Sequence, residues 1–262
     1  MEPTVSAMMA KVRQTNPLVH HITNYVTVND CANICICAGG APVMTDAAED
    51  VPDMAAHASA VVLNIGTLNA RTVDSMVLAG KAANRAHVPV VLDPVGVGAT
   101  PYRTATAERI LREVNAAVIK GNAGEISVLA GLGGAVRGVD SAGAGDPGAA
   151  ARKLAARTGT VVAATGPVDY VADTQHILTL RNGCNLLEKV SGTGCMVASV
   201  VGCYVGACGV SADSVAAAIS VFNIAAELAN VKADGPGTFR VRLLDAMNNL
   251  TGEQVDARLR MA

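Results

Sequence analysis

The sequence predicts an α/β fold, with a mostly parallel central sheet and helices on both faces, built as one domain over residues 1–262. Three observations predict it. Short β-branched apolar runs alternate with longer stretches of helical pattern. Several of those runs end in polar, Gly-containing turns, among them "VMTD", "NIGT", "LDPVGVGAT", "KGNAGE" and "ATGPVD". The composition, 51% hydrophobic and 16% charged, supplies a large core, and no internal repeat or linker divides it.

Taken in order, the chain opens with an amphipathic helix in "MEPTVSAMMAKVRQT". That stretch has no apolar h-region, so secretion is not expected and a cytoplasmic location is. Strands follow at 18–22 (LVHHI), 41–44 (APVM), 60–66 (AVVLNIG), 88–93 (VPVVLD), 116–121 (AAVIKG) and 160–166 (TVVAATG), with helices between them. "VDYVAD" and "HILTL" flank a short polar turn and read as a hairpin near the sheet edge. From Cys195 onward the pattern is nearly all helix, most clearly over 214–230. The Gly-rich stretch 131–148 reads as a long loop.

Composition excludes several classes. A net charge of −2, with no Lys/Arg run interleaved with aromatics, argues against a nucleic-acid partner. Residues 191–212 carry no charge and are long enough for a bilayer, but Gly, Ser, Thr and Cys dilute them. They read as one buried helix, and no membrane association is expected. The 7 Cys form no CxxC pair and read as free thiols in a reducing compartment. With aromatics at 2% and no Trp, the core must be built from Ala, Val, Leu, Ile and Met.

Two Gly-rich turns compete for a phosphate, since neither a P-loop nor a strand-GxGxxG motif is present. Gly143-Ala144-Gly145-Asp146 precedes Pro147 and an exposed-looking amphipathic helix, so Asp146 reads as an N-cap with Pro at the first helical position. Gly192-Thr193-Gly194-Cys195 instead opens the buried helix, where free N–H groups and the helix dipole favour an anion. Asp93 ends a strand beside Gly96 and Gly98, and Asn122 and Glu125 sit at a strand-to-helix switch. One carboxylate from each of two strand ends suits a hydrated Mg²⁺ facing phosphates. Glu125 reads equally well as a first-turn carboxylate that suits the helix dipole. Lys120 and Thr165 add a cation and a hydroxyl at neighbouring strand ends. Asn24 and Thr27 follow the first strand, where polarising a substrate and capping a helix are both open. His20 and His21 are adjacent on a strand and cannot chelate one metal together.

The chain resembles the hydroxyethylthiazole kinase family, thiamine-salvage enzymes of the ribokinase-like fold. The resemblance rests on "NPLVHHITNYVT", "GGAPVMTDAAEDV", "LNIGTL", "VVLDPVGVGATPYR", "IKGNAGEI", "AATGPVDYVAD", "VSGTGCMVASVVG" and "DGPGTFRVRLLD". It implies phosphorylation of the primary hydroxyl of 4-methyl-5-(2-hydroxyethyl)thiazole by ATP with Mg²⁺. It implies Met44 and Gly192 at the thiazole, where Asn24 is a further substrate-binding candidate from its place after the first strand, and Lys120 and Thr165 at ATP. Asp93, Asn122 and Glu125 fall at the metal, Asn122 and Glu125 matching the family's NxxE motif. Gly194 and Cys195, with Thr193, close the anion hole. It also implies a homotrimer with sites between subunits, for which the apolar stretch 26–43 offers a surface. Many relatives have Arg where Lys120 stands, so phosphate meets a point charge here and not a fork.

In this family Cys stands where most ribokinase-like enzymes have Asp. Phosphoryl transfer has a loose transition state, so a strong base is of modest value and Cys195 is expected to position the hydroxyl and assist weakly. A helix N-terminus lowers a thiol pKa, while nearby phosphates raise it. Three other readings stay open at this point: a hydroxymethylpyrimidine kinase, an ATP- or ADP-dependent dehydratase of hydrated nicotinamide cofactors, and a non-catalytic thiazole sensor.

Overall fold

Strands β1 (Leu18–Ile22), β2 (Ala41–Met44), β3 (Ala60–Asn64), β4 (Val90–Asp93), β5 (Val118–Asn122), β6 (Val161–Thr165), β7 (Asp169–Ala172) and β8 (Ile177–Leu180) form one sheet of order β2-β1-β3-β4-β5-β6-β7-β8. The computed structural model describes residues 4–133 and 145–262. All neighbours from β2 through β6 are parallel, and β7 and β8 close that side as an antiparallel hairpin. Of the stretch 131–148, residues 134–144 lie outside the described residues, and with them Gly143 and Ala144.

Helices α1 (Val5–Thr15) and α2 (Val28–Ala38) lie on one face; α3 (Val51–His57), α4 (Ala70–Arg85), α5 (Pro101–Glu113), α6 (Ala123–Leu129) and α7 (Pro147–Thr158) cover the other. Helices α8 (Thr193–Cys208), α9 (Ala212–Val231), α10 (Pro236–Asn249) and α11 (Gly252–Arg258) return to the first face. The strand sequences explain this layering. Val62, Val91 and Ala163 feed one core, while Val61, Leu63, Val90, Leu92, Val162 and Ala164 feed the other. A strand buried on both sides needs apolar side chains at every position, which is why these runs read as continuous and not alternating.

A core without Trp brings backbones close. A Cβ on Gly202 of α8 would lie 2.8 Å from Val62 Cγ2 and 2.9 Å from Val19 Cγ1. The helix therefore rides directly on β1 and β3, held by contacts that one methyl would break.

The reading of 191–212 as one helix is corrected. Gly209, at φ +86°, ends α8, and Ser211 starts α9 by accepting from Ser214 N at 3.0 Å. Among the described residues the one helix long and apolar enough to cross a membrane is α9, and 78% of its apolar window is buried against its neighbours. The far edge of β8 is also covered. Thr179 N donates to Ala262 O at 2.7 Å, Ala262 N donates back at 3.0 Å, and Arg181 N donates to Arg260 O at 2.9 Å.

Gly202→Ala should destabilise the protein by about 1–3 kcal/mol, because stiff β-branched neighbours cannot yield to the added carbon. Urea unfolding monitored by circular dichroism checks this. A midpoint equal to that of the parent would show that α8 does not seat on the sheet this closely.

Candidate active site

The parallel strands deliver their polar ends in a row. Met44 ends β2, Asn64 ends β3, Asp93 ends β4, Asn122 ends β5 and Thr165 ends β6, with Asn24 just beyond β1. Register aligns them, since Asn64 pairs with Asp93 and Asn122 with Thr165. Neighbouring strands lie about 4.8 Å apart, so the row from β2 to β6 spans roughly 24 Å. Open parallel sheets bind ligands at this end. On the β1–β3 side the row adjoins a cavity of about 230 Å³ walled by Asn64, Thr67 and Met76.

Lys120, 3% exposed, stands at the centre. Its Nζ donates to Gly194 O at 3.0 Å and lies 3.6 Å from Asp93 Oδ1. Burial opposes its charge, but Asp93, Glu125 and Cys195 outweigh burial and hold the ammonium above the ordinary lysine range. Asp93 Oδ2 accepts from Asn64 Nδ2 at 2.8 Å, while Oδ1 has no hydrogen-bond partner, so its contact with Lys120 is ionic. Burial pushes the Asp93 pKa up against the pull of Lys120 and Asn64.

Glu125 resolves into a double role. Its Oε2 accepts from Asn122 N at 2.7 Å while Asn122 Oδ1 accepts from Glu125 N at 2.9 Å, a capping box that starts α6. Its Oε1 accepts from Gly96 N at 2.7 Å, which pins the turn after β4. Gly121 leaves room for it, since a Cβ there would lie 3.0 Å from Glu125 Oε2. Burial, then the charge of Asp93, raise the Glu125 pKa to about 7. Among the described residues no three His, Cys, Asp or Glu side chains converge as a metal cage. Two buried carboxylates against one ammonium, with Asp93 Oδ1 left unbonded, suit a hard cation that keeps most of its waters.

The two Gly-rich turns differ in kind. Asp146 accepts from Gly148 N at 2.9 Å and Ala149 N at 3.2 Å, so it occupies the N-terminus of its own helix as an N-cap. No side chain caps α8. Its first turn is open at Gly194, over Lys120. Gly192 sits at φ +89°, and a Cβ there would lie 2.3 Å from Thr27 Cγ2. The Thr193 hydroxyl donates to Leu187 O at 2.9 Å, so only its backbone can serve an anion. Cys195 Sγ accepts from Asn24 Nδ2 at 3.4 Å. Burial, then the Asp93 charge, raise its pKa against Lys120, so the helix N-terminus does not make it a thiolate at neutral pH.

Thr165 Oγ1 donates to Gly121 O at 3.2 Å and ties β6 to β5. Met44 is half-buried at the opposite end of the row, with β1 and β3 between it and Asp93. Nε2 of His20 bonds Thr45 O and Nδ1 of His21 bonds Val19 O, each at 3.0 Å, so the two imidazoles have separate backbone partners. Three residues that sequence reading did not assign complete the site. Asn64 bridges Asp93 and Asn24, accepting from Asn24 Nδ2 at 3.0 Å. Arg103 donates to Ile65 O, Val95 O and Gly66 O at 2.8–3.0 Å, clamping two strand-end loops. Asp169 accepts from Gly166 N at 2.9 Å and Asn223 Nδ2 at 2.7 Å, and burial lifts its pKa to about 6. Asn64 and Asp169 carried a signal, their places in the polar strand-end stretches "NIGT" and "ATGPVD".

The choice of turn is testable. Gly192→Ala should abolish phosphoryl transfer, because the left-handed backbone and Thr27 leave no space for a side chain. Asp146→Asn should leave turnover within about a few-fold, since a cap change costs roughly 1 kcal/mol of stability or less. Steady-state assays that find Asp146→Asn inactive and Gly192→Ala active would move the site to the other turn.

Residues 9–253 match the profile of the Hydroxyethylthiazole kinase family. A hydroxyethylthiazole kinase from Methanoculleus marisnigri is 52% identical over 257 residues, covering 98% of this chain and 92% of that one. The solved structure of hydroxyethylthiazole kinase from Pyrococcus horikoshii OT3 superposes with a TM-score of 0.91 at 39% identity, covering 98% of each chain. A ribokinase-like superfamily protein from Enterococcus faecalis shares the fold alone, at TM-score 0.66 and 10% identity, covering 96% of this chain and 92% of that one. The uncapped turn over Lys120 and the strand-end row thus lie in a chain of ribokinase-like fold that belongs to the hydroxyethylthiazole kinase family.

Proposed function

We propose that this chain transfers the γ-phosphoryl group of ATP to the primary hydroxyl of 4-methyl-5-(2-hydroxyethyl)thiazole, giving the thiazole phosphate and ADP. The observation that carries the reading is the uncapped first turn of α8 above a buried Lys120. The row of strand ends orders the substrates. Met44, Asn24, Gly192 and the cavity beside Asn64 take the thiazole alcohol, and Thr165 lies at the nucleotide end. The phosphoryl group then crosses in front of Gly194.

The alcohol oxygen bonds to the γ-phosphorus as the bridging bond to the β-phosphate breaks. The backbone N–H groups of Thr193, Gly194 and Cys195 receive the equatorial oxygens, and Lys120 adds positive charge from beneath. Asp93 and Glu125, with Asn122 at the same corner, would hold Mg²⁺, which would supply charge neutralisation for the phosphates. The hydroxyl proton leaves late, to an oxygen of the transferred phosphoryl group. Cys195 is a neutral thiol that already carries its own proton, so it orients the hydroxyl through a hydrogen bond, which matches a transition state needing little base.

The same reading gives a homotrimer with sites between subunits. Tyr25 and Val26, next to Asn24, are 79% and 60% exposed, and Ile36 near the far end of α2 is 57% exposed, apolar surface that a second copy would cover. The seven free cysteines suit a reducing cytoplasm. Cys35 and Cys203 sulfurs lie 3.3 Å apart in the core as hydrogen-bonded thiols, not a disulfide.

Thiazole, pyrimidine and pyridoxal alcohols incubated with Mg-ATP should yield phosphorylated product from the thiazole alcohol foremost; a pyrimidine product without a thiazole one would overturn the assignment. Asp93→Asn, which keeps the acceptor for Asn64, should cut turnover roughly 10–100-fold and raise the Mg²⁺ needed for half-activity. An unchanged Mg²⁺ titration would remove Asp93 from the metal site. Light scattering of active samples should give three times the 26.5 kDa chain mass. A monomer mass at micromolar concentration is the refuting result.

A further inference from the structure

A chain of side-chain amides runs from the buried Asp93 carboxylate to the Cys195 sulfur, and its polarity is fixed at every link. Asn64 Nδ2 donates to Asp93 Oδ2 at 2.8 Å. Asn64 Oδ1 accepts from Asn24 Nδ2 at 3.0 Å and from Gly66 N at 2.9 Å. The same Asn24 Nδ2 donates to Cys195 Sγ at 3.4 Å. Asn24 Oδ1 accepts from Thr27 N and Thr27 Oγ1, both at 3.1 Å.

A carboxylate only accepts, so Asn64 must turn its NH₂ toward Asp93 and its oxygen toward Asn24. Asn24 must answer with its NH₂, and the two donors of Thr27 hold its oxygen away. One Asn24 hydrogen goes to Asn64 and the second to the sulfur. Both ends are packed closely as well. A Cβ on Gly66 would lie 2.9 Å from Asn24 Cβ, and one on Gly192 would collide with Thr27.

We infer that Asn64 is a positioning residue for phosphoryl transfer, orienting Asn24 so that an N–H is held on the Cys195 sulfur. That contact makes the sulfur an acceptor on its protein side. The thiol hydrogen is thereby turned out of the amide chain, so the side of the sulfur that faces the substrate hydroxyl is fixed. The inference rests on the role of Cys195 given under the proposed function. The titratable groups that face the sulfur are Asp93 on β4, Lys120 on β5 and Cys31 on α2; all stay in place in the test below, and the loss of the Asn64 bond to Asp93 favours its neutral form, which would move the sulfur in the opposite sense to the expected shift.

The test uses the full chain without nucleotide or metal. Asn64→Leu, close in size and without polar atoms, and Asn64→Ser, smaller and less disruptive, are compared with the parent. The alkylation rate of Cys195 by iodoacetamide is followed against pH, read on the Cys195 peptide by mass spectrometry. In each variant that melts cooperatively the inflection should move to higher pH, and kcat should fall roughly three- to tenfold with KM for both substrates nearly unchanged. Alkylation profiles that superimpose on the parent's would overturn the inference whatever happens to kcat, because a purely structural Asn64 leaves the sulfur as it was. If the parent makes no thiazole phosphate, the proposed function fails by itself, and the alkylation profile still decides whether Asn64 acts on Cys195.

Discussion

Everything at the strand ends is arranged around one buried ammonium. Lys120 is held between Asp93 and the carbonyl of Gly194, so a charge within β5 is bonded to the first turn of α8. Burying a charge is costly unless it is paired, and removing one partner of such a pair costs about 3–5 kcal/mol. The requirement is structural before it is catalytic. It fixes β4, β5 and α8 relative to one another, with Glu125 locking α6 and the Gly96 turn into the same corner. Two carboxylates share one ammonium at this corner, and burial raises the pKa of both carboxyl groups.

The sequence-level reading succeeded where local pattern and tertiary burial agree. The strands at 18–22 and 41–44 and the hairpin after β6 were legible because continuous β-branched runs bounded by Gly, Pro and Asn have few other uses. The capping role of Asp146 was legible for a similar reason, since Asp-Pro before an Ala-rich stretch is a local signal. Position 209 was harder. Its glycine lay inside an uncharged run, and only the left-handed backbone shows that the run is two helices.

What escaped the reading is what depends on register. Asn64 meets Asp93 because β3 and β4 pair residue for residue, and residues 29 apart in the chain carry no trace of that contact. Asp169 and Asn223 are 54 apart and meet only because α9 folds back under the hairpin. The NxxE spacing was ambiguous in a more interesting way. Its two candidate uses, capping and metal holding, need the same carboxylate at the same helix start, so the structure shows the first without displacing the second.

The pairing of residues 260–262 with β8 bears on how the chain is made. Helices α8 to α11 lie between them in sequence, so during synthesis β8 emerges long before its cover. Until α11 has left the ribosome and docked, the hairpin presents an unpaired row of backbone donors and acceptors, the kind of template on which nascent chains stick to one another. The aggregation risk at this edge therefore lasts through the synthesis of α8 to α11, after the polar strand ends of β1 to β6 have all been made and while the sheet is still open at one side.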